Sequence, residues 1–456
     1  MGCDVNRGEG LTRTIEAGLV AVLVLAPLPL GSARPLPTFV LALIVAALMV
    51  VSLPTRAAAD VLRGLGMRGP AALFALVVVY VILQCATFSP AAWHHPGWAI
   101  MANELGAAVE GSIALDRDAA VDGLIKWLTS AGLLYLACLI GRDAAAARRL
   151  TLAVALAGAL WATFGLVVYW SGNASVAWFT KWTYVTDLTG PFVNRNSFAT
   201  YLALSVLAML AIAIVRIETP PPGQHTPEGP VAAVVGQFWA LSCLFVLATA
   251  LSLTHSRGGV AVGVIGAVVL VVSAGRRGTI KPVIAFVAIA AIVFVAAAVL
   301  ISGDRLIDRL GESFDRPDGR VVIHAATLAA IAEYPVFGIG LGSFPAEFPA
   351  YRTTDLPTGE VAKAHSDVLE LVLELGIPAA LALFSAMIWP VIIAVRGIVV
   401  RRRDVIYPGL GVAASVAVGL HSTVDFSLQI PAVASAYMVL LGVGVAQSRS
   451  TRAPRY

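Results

Sequence analysis

The sequence predicts an all-α fold, a polytopic membrane helix bundle of about twelve transmembrane helices with a large external helical loop. The mean hydropathy is +0.86, and charged residues make up 13% of the chain, against roughly 25% in soluble proteins. Apolar runs recur through all 456 residues without a long polar block between them. These observations exclude a soluble fold, and they predict that residues 1–456 form a single membrane domain.

Each predicted span is a long run of Ala, Val, Leu and Ile, because a helix needs about 20 apolar residues to cross roughly 30 Å of hydrocarbon. The alternation of apolar and polar residues that marks a membrane β-barrel is absent from the sequence. The predicted spans cover residues 15–31, 36–53, 70–88, 121–140, 149–170, 196–215, 234–253, 258–274, 282–302, 377–395, 408–422 and 430–446.

The distribution of charge indicates the orientation of the bundle. If both termini are cytoplasmic, the inside segments hold 19 of the 31 Lys and Arg residues but 8 of the 27 Asp and Glu residues. Cytoplasmic loops are enriched in positive residues, so both termini are predicted to be cytoplasmic. The external face then receives loops near 89–120, 171–195, 254–258, 303–376 and 421–429. The 303–376 segment is too long for a connector, and we expect two or more short surface helices in it.

Arg257 stands in THSRGG between two apolar spans, on the face where the charge rule gives no reason for an arginine. Burying a charge in the membrane costs about 2.5 to 3.5 kcal/mol on insertion scales, so a functional partner is the first hypothesis. The alternative is an arginine that extends to the interface. The two glycines that follow are expected to permit close approach of a ligand.

Arg320 and His324 are one turn apart in the predicted helix DGRVVIHAATLAAIAEYP, which puts them on one face. They form either a cationic or hydrogen-bonding pair, or part of a solvated surface helix in which Arg320 pairs with acidic residues of the same loop. Those acidic residues are Asp304, Asp308, Glu312, Asp315 and Asp318. Their spacing fits no calcium-binding loop.

His365 opens AHSDVLELVLELGIP, a predicted short helix that runs directly into the tenth span. Asp367, Glu370 and Glu374 follow one or two turns onward. A histidine takes up a proton near neutral pH, and a neighbouring carboxylate can orient its ring. A lone histidine usually has a structural role. Because His365 stands at the entry to a span, a functional role and a structural role are equally favoured.

Two further polar groups lie at the predicted external ends of spans. In GPFVNRNSFATYLAL, Arg195 is another external arginine beside hydrocarbon, and Asn196 is predicted to cap the free backbone N–H groups of the helix. In HSTVDFSLQIPA, His421 and Asp425 are four residues apart, close enough in a helix to hydrogen bond. That pair is either structural or part of a substrate site.

Several common site motifs are missing from the sequence. It has no Walker-type loop, no zinc motif and no serine-centred GxSxG, and FGIGLGSF follows no predicted strand, so we interpret it as a turn. The four cysteines are far apart and predict neither a disulfide nor a metal site. We therefore predict no cofactor, no metal and no nucleic-acid partner.

The order of the motifs carries a resemblance to a known family. NRNSFATYL is followed by SRGG, DGRVVIHAA, YPVFGIGLGSF, AHSDVLELVLELG and HSTVDFSLQIPA. This order, over roughly residues 190–445, resembles the O-antigen ligase and polymerase superfamily of bacterial membrane glycosyltransferases. One departure is Ser366, which stands where the family pattern often has asparagine.

The resemblance implies a reaction in the bacterial cytoplasmic membrane that needs neither metal nor nucleotide. A polyprenyl-diphosphate-linked glycan donor would be moved to the hydroxyl of a glycan or glycolipid acceptor at the external face, in contact with membrane lipid. The family's functional set falls on Arg257, Arg320 and His365. Direct displacement would invert the sugar carbon.

The chemistry of these residue types agrees with that assignment. Guanidinium groups bind phosphate oxygens bidentately and keep their charge, which suits Arg257 and Arg320 to a departing lipid diphosphate. His365 is expected to accept the proton of the acceptor hydroxyl, oriented by Asp367 or Glu370. The remaining candidate substrate-binding residues are Arg195, Asn196, His324, His421 and Asp425.

Two alternatives remain open from the sequence. Ligases and polymerases share these motifs and differ in the acceptor, and the sequence does not decide between them. A twelve-helix secondary transporter has the same predicted layout, but transporters place ionisable residues near the middle of the bilayer. Here Lys126 and Asp122 fall within a predicted span and the other charges cluster at the outer ends, which favours an enzyme.

Overall fold

The computed structural model describes residues 2–55, 58–218, 238–275, 319–353, 361–401 and 403–449. Within these ranges the regular structure is helical apart from one hairpin of two short antiparallel strands, β1 (Ser175–Val176) and β2 (Phe179–Thr180). The α-helices are α1 (Gly2–Leu25), α2 (Pro35–Ser52), α3 (Ala58–Gly64), α4 (Arg68–Cys85), α5 (Gly97–Leu105), α6 (Arg117–Ile140), α7 (Ala144–Trp170), α8 (Arg195–Glu218), α9 (Phe238–Leu253), α10 (Arg257–Ala274), α11 (Gly319–Glu333), α12 (Phe344–Glu347), α13 (Asp367–Val400), α14 (Ile406–His421) and α15 (Pro431–Ala446).

Seven of these helices are long and apolar enough to cross a membrane: α2, α4, α6, α7, α8, α10 and α13. Three more, α9, α14 and α15, are shorter apolar helices. Each predicted span overlaps a helix, except the span at 282–302, which lies outside the described residues. The predicted all-α polytopic membrane bundle is confirmed.

The α8 helix forms the centre of the bundle. Its apolar stretch is 94% buried, whereas that of α2 is 28% buried. Small residues let neighbouring helices approach closely, as is common among membrane helices. A Cβ atom on Gly444 of α15 would lie 2.9 Å from Cα of Gly411 of α14. These two backbones are therefore in direct contact.

The α13 helix is interrupted at Gly376, where φ is 72° and ψ is 160°. A break of this kind frees backbone groups that would otherwise bond along the helix. The loop at 335–342 takes up these groups. Its backbone bonds are Ile339 N to Leu373 O at 3.1 Å, Gly340 N to Glu374 O at 2.9 Å, and Ile377 N to Pro335 O at 2.9 Å.

Glycine is required on both sides of this contact. A Cβ atom on Gly376 would lie 2.1 Å from the carbonyl oxygen of Val336, and one on Gly338 would lie 2.5 Å from the carbonyl oxygen of Glu374. The prediction that FGIGLGSF is a turn is confirmed, because Gly338, Gly340 and Gly342 all have positive φ outside regular structure.

The long segment predicted at 303–376 contains short helices, as expected. The α11 and α12 helices lie within it, and Phe348–Tyr351 forms a 3₁₀ helix. Residues 303–318 and 354–360 lie outside the described part of the chain. The proposed acidic partners of Arg320, from Asp304 to Asp318, are among them.

Candidate functional site

Polar side chains from separated parts of the chain meet at one end of the bundle. We call this the site end. It comprises the starts of α8, α10 and α13, the helix α11, and the turn at 421–429 that follows α14. The positive ends of these helix dipoles lie at the site end, which favours negative charge nearby.

Asp425 is the buried anion of the site end, with no exposed surface. Its Oδ2 accepts a hydrogen bond of 2.7 Å from Nδ2 of Asn196, and its Oδ1 accepts one of 2.9 Å from Oγ of Ser427. A guanidinium nitrogen of Arg320 lies 3.9 Å from Oδ2. The carboxylate is thus held by groups from α8, α11 and its own turn.

The prediction that Asn196 caps α8 is wrong. The helix begins at Arg195, and Oδ1 of Asn194 accepts a 2.7 Å hydrogen bond from the backbone N–H of Asn196. The side chain of Asn196 is therefore available for Asp425. Asn194, two positions earlier, is the capping residue, because Asn196 already lies within the helix.

His421 does not bond directly to Asp425, because α14 ends at His421 and Asp425 lies beyond the helix. Its Nδ1 is 2.6 Å from Oγ1 of Thr200 on α8 and 3.5 Å from Oγ of Ser427. Ser427 in turn donates to Asp425. The two residues that the sequence pairs are therefore joined through a serine hydroxyl.

Arg257 is the first residue of α10, and its side chain is exposed at the site end. The hydroxyl of Ser256 caps this helix by accepting from the N–H of Gly259 at 3.2 Å. A Cβ atom on Gly258 would lie 2.9 Å from Nε2 of His421, and one on Gly259 would lie 2.4 Å from Cβ of Ala199. The two glycines thus serve helix packing, and they bring the start of α10 against His421.

Arg320 and His324 lie on α11, which confirms the helix predicted there. Nη1 of Arg320 donates to the carbonyl oxygen of Val424 at 3.1 Å, and Nε2 of His324 is 3.3 Å from the carbonyl oxygen of His365. The α11 helix is therefore attached both to the 421–429 turn and to the segment that carries His365.

His365 is half-buried, and its backbone is left-handed, with φ of 53°. Among the described residues, its Nδ1 is buried without a hydrogen-bond partner. The ring packs edge-on against Phe426, with 5.3 Å between ring centroids. Burial, and then the positive charge of Arg320, lower the pKa of His365, so the ring stays neutral and can accept a proton.

The expectation that Asp367 or Glu370 orients His365 does not match the structure. Oδ2 of Asp367 accepts from Oγ of Ser422 at 2.9 Å. Glu370 accepts from Nζ of Lys363 at 2.9 Å, and its further donors are Nε2 of Gln429 at 3.0 Å and the backbone N–H of Ala364 at 2.8 Å. Glu370 fastens the chain just before His365, so its effect on the ring passes through the backbone.

Lys363 is the positively charged partner of Glu370 in this contact. Burial alone would lower the pKa of Lys363, but the charges of Glu370 and Glu374 and the hydrogen bond to Glu370 outweigh burial and raise it. The amine therefore stays protonated and paired at neutral pH.

A second charged group, absent from the sequence prediction, is centred on Asp187. Its Oδ1 lies 2.7 Å from Nδ1 of His255, and its Oδ2 accepts from Nη1 of Arg195 at 2.8 Å. Burial would raise the pKa of Asp187, but the hydrogen bond from His255 and the charge of Arg195 outweigh it and lower the pKa. Nζ of Lys181 donates to the backbone oxygen of Asp187 at 2.5 Å, and burial lowers the pKa of Lys181 to about 8.

Tyr184 lies within electrostatic range of both charged groups. Burial raises its pKa, and its ring also experiences the charges of Arg195, Asp425, Arg320 and Asp187. The guanidinium carbon of Arg195 is 5.4 Å from the ring centroid. Tyr184 is therefore affected by the charges of both groups and contacts Arg195 directly.

Tyr184, His255 and His365 share an uncommon backbone conformation, with φ of 50°, 52° and 53°. Bulky residues rarely adopt positive φ, and such residues concentrate at functional sites. Within the described ranges, no three or more His, Cys, Asp and Glu side chains are grouped so as to hold a metal ion. The site end offers exposed guanidinium groups beside imidazole rings, a combination suited to binding phosphate and transferring a proton.

Comparison with known protein families gives a match over part of the chain. Residues 242–384 match the family model described as O-antigen ligase, and this range contains Arg257, Arg320 and His365. A search of curated proteins finds no match. Over this part of the chain, the match confirms the resemblance of the motif order to the superfamily of O-antigen ligases and polymerases.

Proposed function

We propose that this protein is a glycosyltransferase of the bacterial cytoplasmic membrane that moves a polyprenyl-diphosphate-linked glycan to an acceptor hydroxyl. The family match supports an O-antigen ligase-like membrane glycosyltransferase at the level of the family. The observation that carries the proposal is the convergence of Arg320, His365 and Asp425 at one end of a membrane bundle, beside the start of α10 with Arg257. The distribution of Lys and Arg along the chain supports an external position for this end.

Arg257 and Arg320 bind the diphosphate in this proposal. Breaking the bond between the sugar and the lipid diphosphate leaves negative charge on the departing oxygen. Guanidinium groups held in fixed positions beside that oxygen stabilise the negative charge as it develops in the transition state. Both arginines belong to the site end, and the side chain of Arg320 is about one-third exposed, which leaves it accessible to a ligand.

His365 accepts the proton from the acceptor hydroxyl as the new glycosidic bond forms. Its lowered pKa keeps the ring neutral at physiological pH, as a base requires. The hydroxyl oxygen attacks the sugar carbon from the side opposite the diphosphate, so the product has inverted configuration. We assign no metal and no nucleotide to this step.

The other candidate residues act by holding these groups in place. Asn196 and His421 are engaged with Asp425 and Thr200, and His324 contacts the backbone of His365. We propose that they position the site and do not bind the sugar through the atoms that are already bonded. Asp367 and Glu370 have the same kind of role, because their partners are Ser422 and Lys363.

A transfer assay in membranes tests the proposal. The wild type and the variants Arg257→Ala, Arg320→Ala and His365→Ala are supplied with a lipid diphosphate-linked glycan, with EDTA and without nucleotide. Arg396→Ala is the matched control, because Arg396 is an exposed arginine of α13 twenty residues beyond its Gly376 break. We expect each site variant to lose about 100-fold or more of the transfer rate.

The product distribution separates the two members of the superfamily. A single transferred glycan indicates a ligase, and a ladder of repeat lengths indicates a polymerase. Wild-type rates in all three site variants, at matched expression, would exclude this site.

A further inference from the structure

The imidazole of His255 is held by a carboxylate in the arrangement of a catalytic dyad. Nδ1 of His255 lies 2.7 Å from Oδ1 of Asp187, and both side chains are less than one-tenth exposed. Because the carboxylate of Asp187 has a lowered pKa, it accepts this hydrogen bond and Nδ1 carries the proton. The ring is thereby fixed in one tautomer and one orientation, with Nε2 directed away from the aspartate.

The dyad has support that a merely structural pair would not need. Nη1 of Arg195 bonds to the other oxygen of Asp187, and the amine of Lys181 holds the backbone of the same residue. The backbone of His255 has φ of 52°, an unfavourable conformation for a histidine. Three separate elements thus fix one imidazole: the loop at 171–194, the start of α8 and the turn between α9 and α10.

His255 is close in the chain to one of the two arginines assigned to the diphosphate. It is two residues before Arg257, in the turn that brings the start of α10 to the site end. Nδ1 of His255 is bonded to Asp187, so Nε2 lies on the opposite side of the ring. The structure therefore contains a second oriented imidazole, two residues before Arg257 in the chain.

We propose that His255 is the general acid of the transfer reaction, a role that rests on the proposed function above. In its protonated form, His255 donates the Nε2 proton to the oxygen of the leaving diphosphate, and Asp187 stabilises the imidazolium. His365 and His255 then divide the two proton transfers between the acceptor and the donor.

The atoms and charges balance in this step. The O–H bond of the acceptor breaks and its proton moves to His365, while the acceptor oxygen forms the bond to the sugar carbon. The bond from that carbon to the diphosphate oxygen breaks, and this oxygen takes the proton from His255. Exchange with water returns a proton to His255 and removes one from His365 before the next cycle.

Several titratable or charged groups lie around the dyad. They come from the loop at 171–194 and from the start of α8, and they are Lys181, Tyr184 and Arg195.

The pH dependence of kcat tests the acid role. We expect the wild-type rate to fall on the alkaline side as the imidazolium of His255 loses its proton. The variant His255→Gln should lower the maximum rate by about 100-fold and abolish that alkaline fall. Asp187→Asn, which keeps the shape of the side chain, should move the alkaline fall to lower pH by about one unit or more. His94→Gln is the control, because His94 bonds to Ser89 in a different loop.

The outcomes distinguish this role from a structural one and from failure of the proposed function. An unchanged alkaline fall in His255→Gln and in Asp187→Asn, even with a lower rate, overturns the acid role. If His255→Gln does not accumulate in membranes, the shift expected for Asp187→Asn decides the question alone. A wild type that transfers no glycan contradicts the proposed function, whereas wild-type transfer with unshifted variants contradicts only the role of His255.

Discussion

The amide of Asn196 donates a 2.7 Å hydrogen bond to the carboxylate of Asp425, 229 residues later in the chain. Both side chains are buried, and the bond ties the start of α8 to the turn after α14. A hydrogen bond to a charged group contributes about 1.5 to 3 kcal/mol to stability. This bond therefore holds together two parts of the site end that no local sequence interaction connects.

Replacing this amide by a carboxylate should damage the site. Asn196→Asp puts two carboxylates at hydrogen-bond distance, and we expect a lower unfolding temperature in detergent and loss of transfer. The double variant Asn196→Asp with Asp425→Asn restores an amide–carboxylate pair with its polarity reversed. It should recover most of the thermal stability, as measured by scanning fluorimetry. A double variant no more stable than Asn196→Asp alone would show that the bond is not what couples the two segments.

The lowered pKa of His365 predicts a dependence on the charge of Arg320. A histidine with a lowered folded-state pKa contributes stability above its unfolded value of about 6.5, and this stability is lost as the pH falls through the folded-state pKa. Arg320→Gln should raise the pKa of His365 towards its ordinary value, whereas Arg320→Lys keeps the charge. The measurement is the pH dependence of diethyl pyrocarbonate modification at His365, resolved by mass spectrometry. Identical profiles for Gln and Lys would exclude an electrostatic effect of Arg320.

Glu370 should be required to hold His365 in place. Glu370→Gln removes the charge that Lys363 faces, and one amide cannot accept from all three of the present donors. We expect a loss of about 1 to 3 kcal/mol in the free energy of unfolding and a lower transfer rate. Glu104→Gln, at an exposed position of α5, is the control. A Glu370→Gln protein that matches wild type in unfolding and transfer would contradict the fastening role.

The contact between α14 and α15 should not tolerate a methyl group. Gly444→Ala would place Cβ 2.9 Å from Cα of Gly411, so the helices must separate, at a cost of about 1 to 3 kcal/mol. Gly419→Ala, in α14 itself, meets no atom within 4 Å and is the matched control. Thermal unfolding in detergent should therefore occur at a lower temperature for Gly444→Ala only. Equal midpoints would mean that the helix contact is looser than the backbone distance indicates.

Most of the helical architecture follows from the sequence because each apolar run must satisfy its own backbone in the membrane. The helix predicted to run from His365 into the span at 377–395 is present as α13, which begins at Asp367 and is interrupted at Gly376. Its first part contains Asp367, Glu370 and Glu374, which are all buried. Their local partners, Ser422, Lys363 and the backbone of Phe344, make burial of these acidic residues acceptable.

The candidate site could be predicted only in part. Arg257 stands out against apolar surroundings, whereas Arg320 and His365 are indicated chiefly by the family resemblance of the motif order. Asp187 and His255 are 68 residues apart and become a pair only when the loop at 171–194 packs on the turn before α10. His255 lies inside the motif that drew attention to Arg257, so an ionisable residue next to a candidate arginine was an available signal. Asp187 offers no such signal, because one aspartate in a polar loop is ordinary.

The glycine contact between the 335–342 loop and the break in α13 has a consequence for how related proteins can differ. The loop and the helix are joined backbone to backbone, so their alignment is fixed in register and depends on Gly338 and Gly376 but not on other side chains. Insertions and deletions can then be accommodated between residues 343 and 366, where the chain leaves this contact and returns to it. The sequence can diversify there while the entry to α13, and His365 with it, keeps its place.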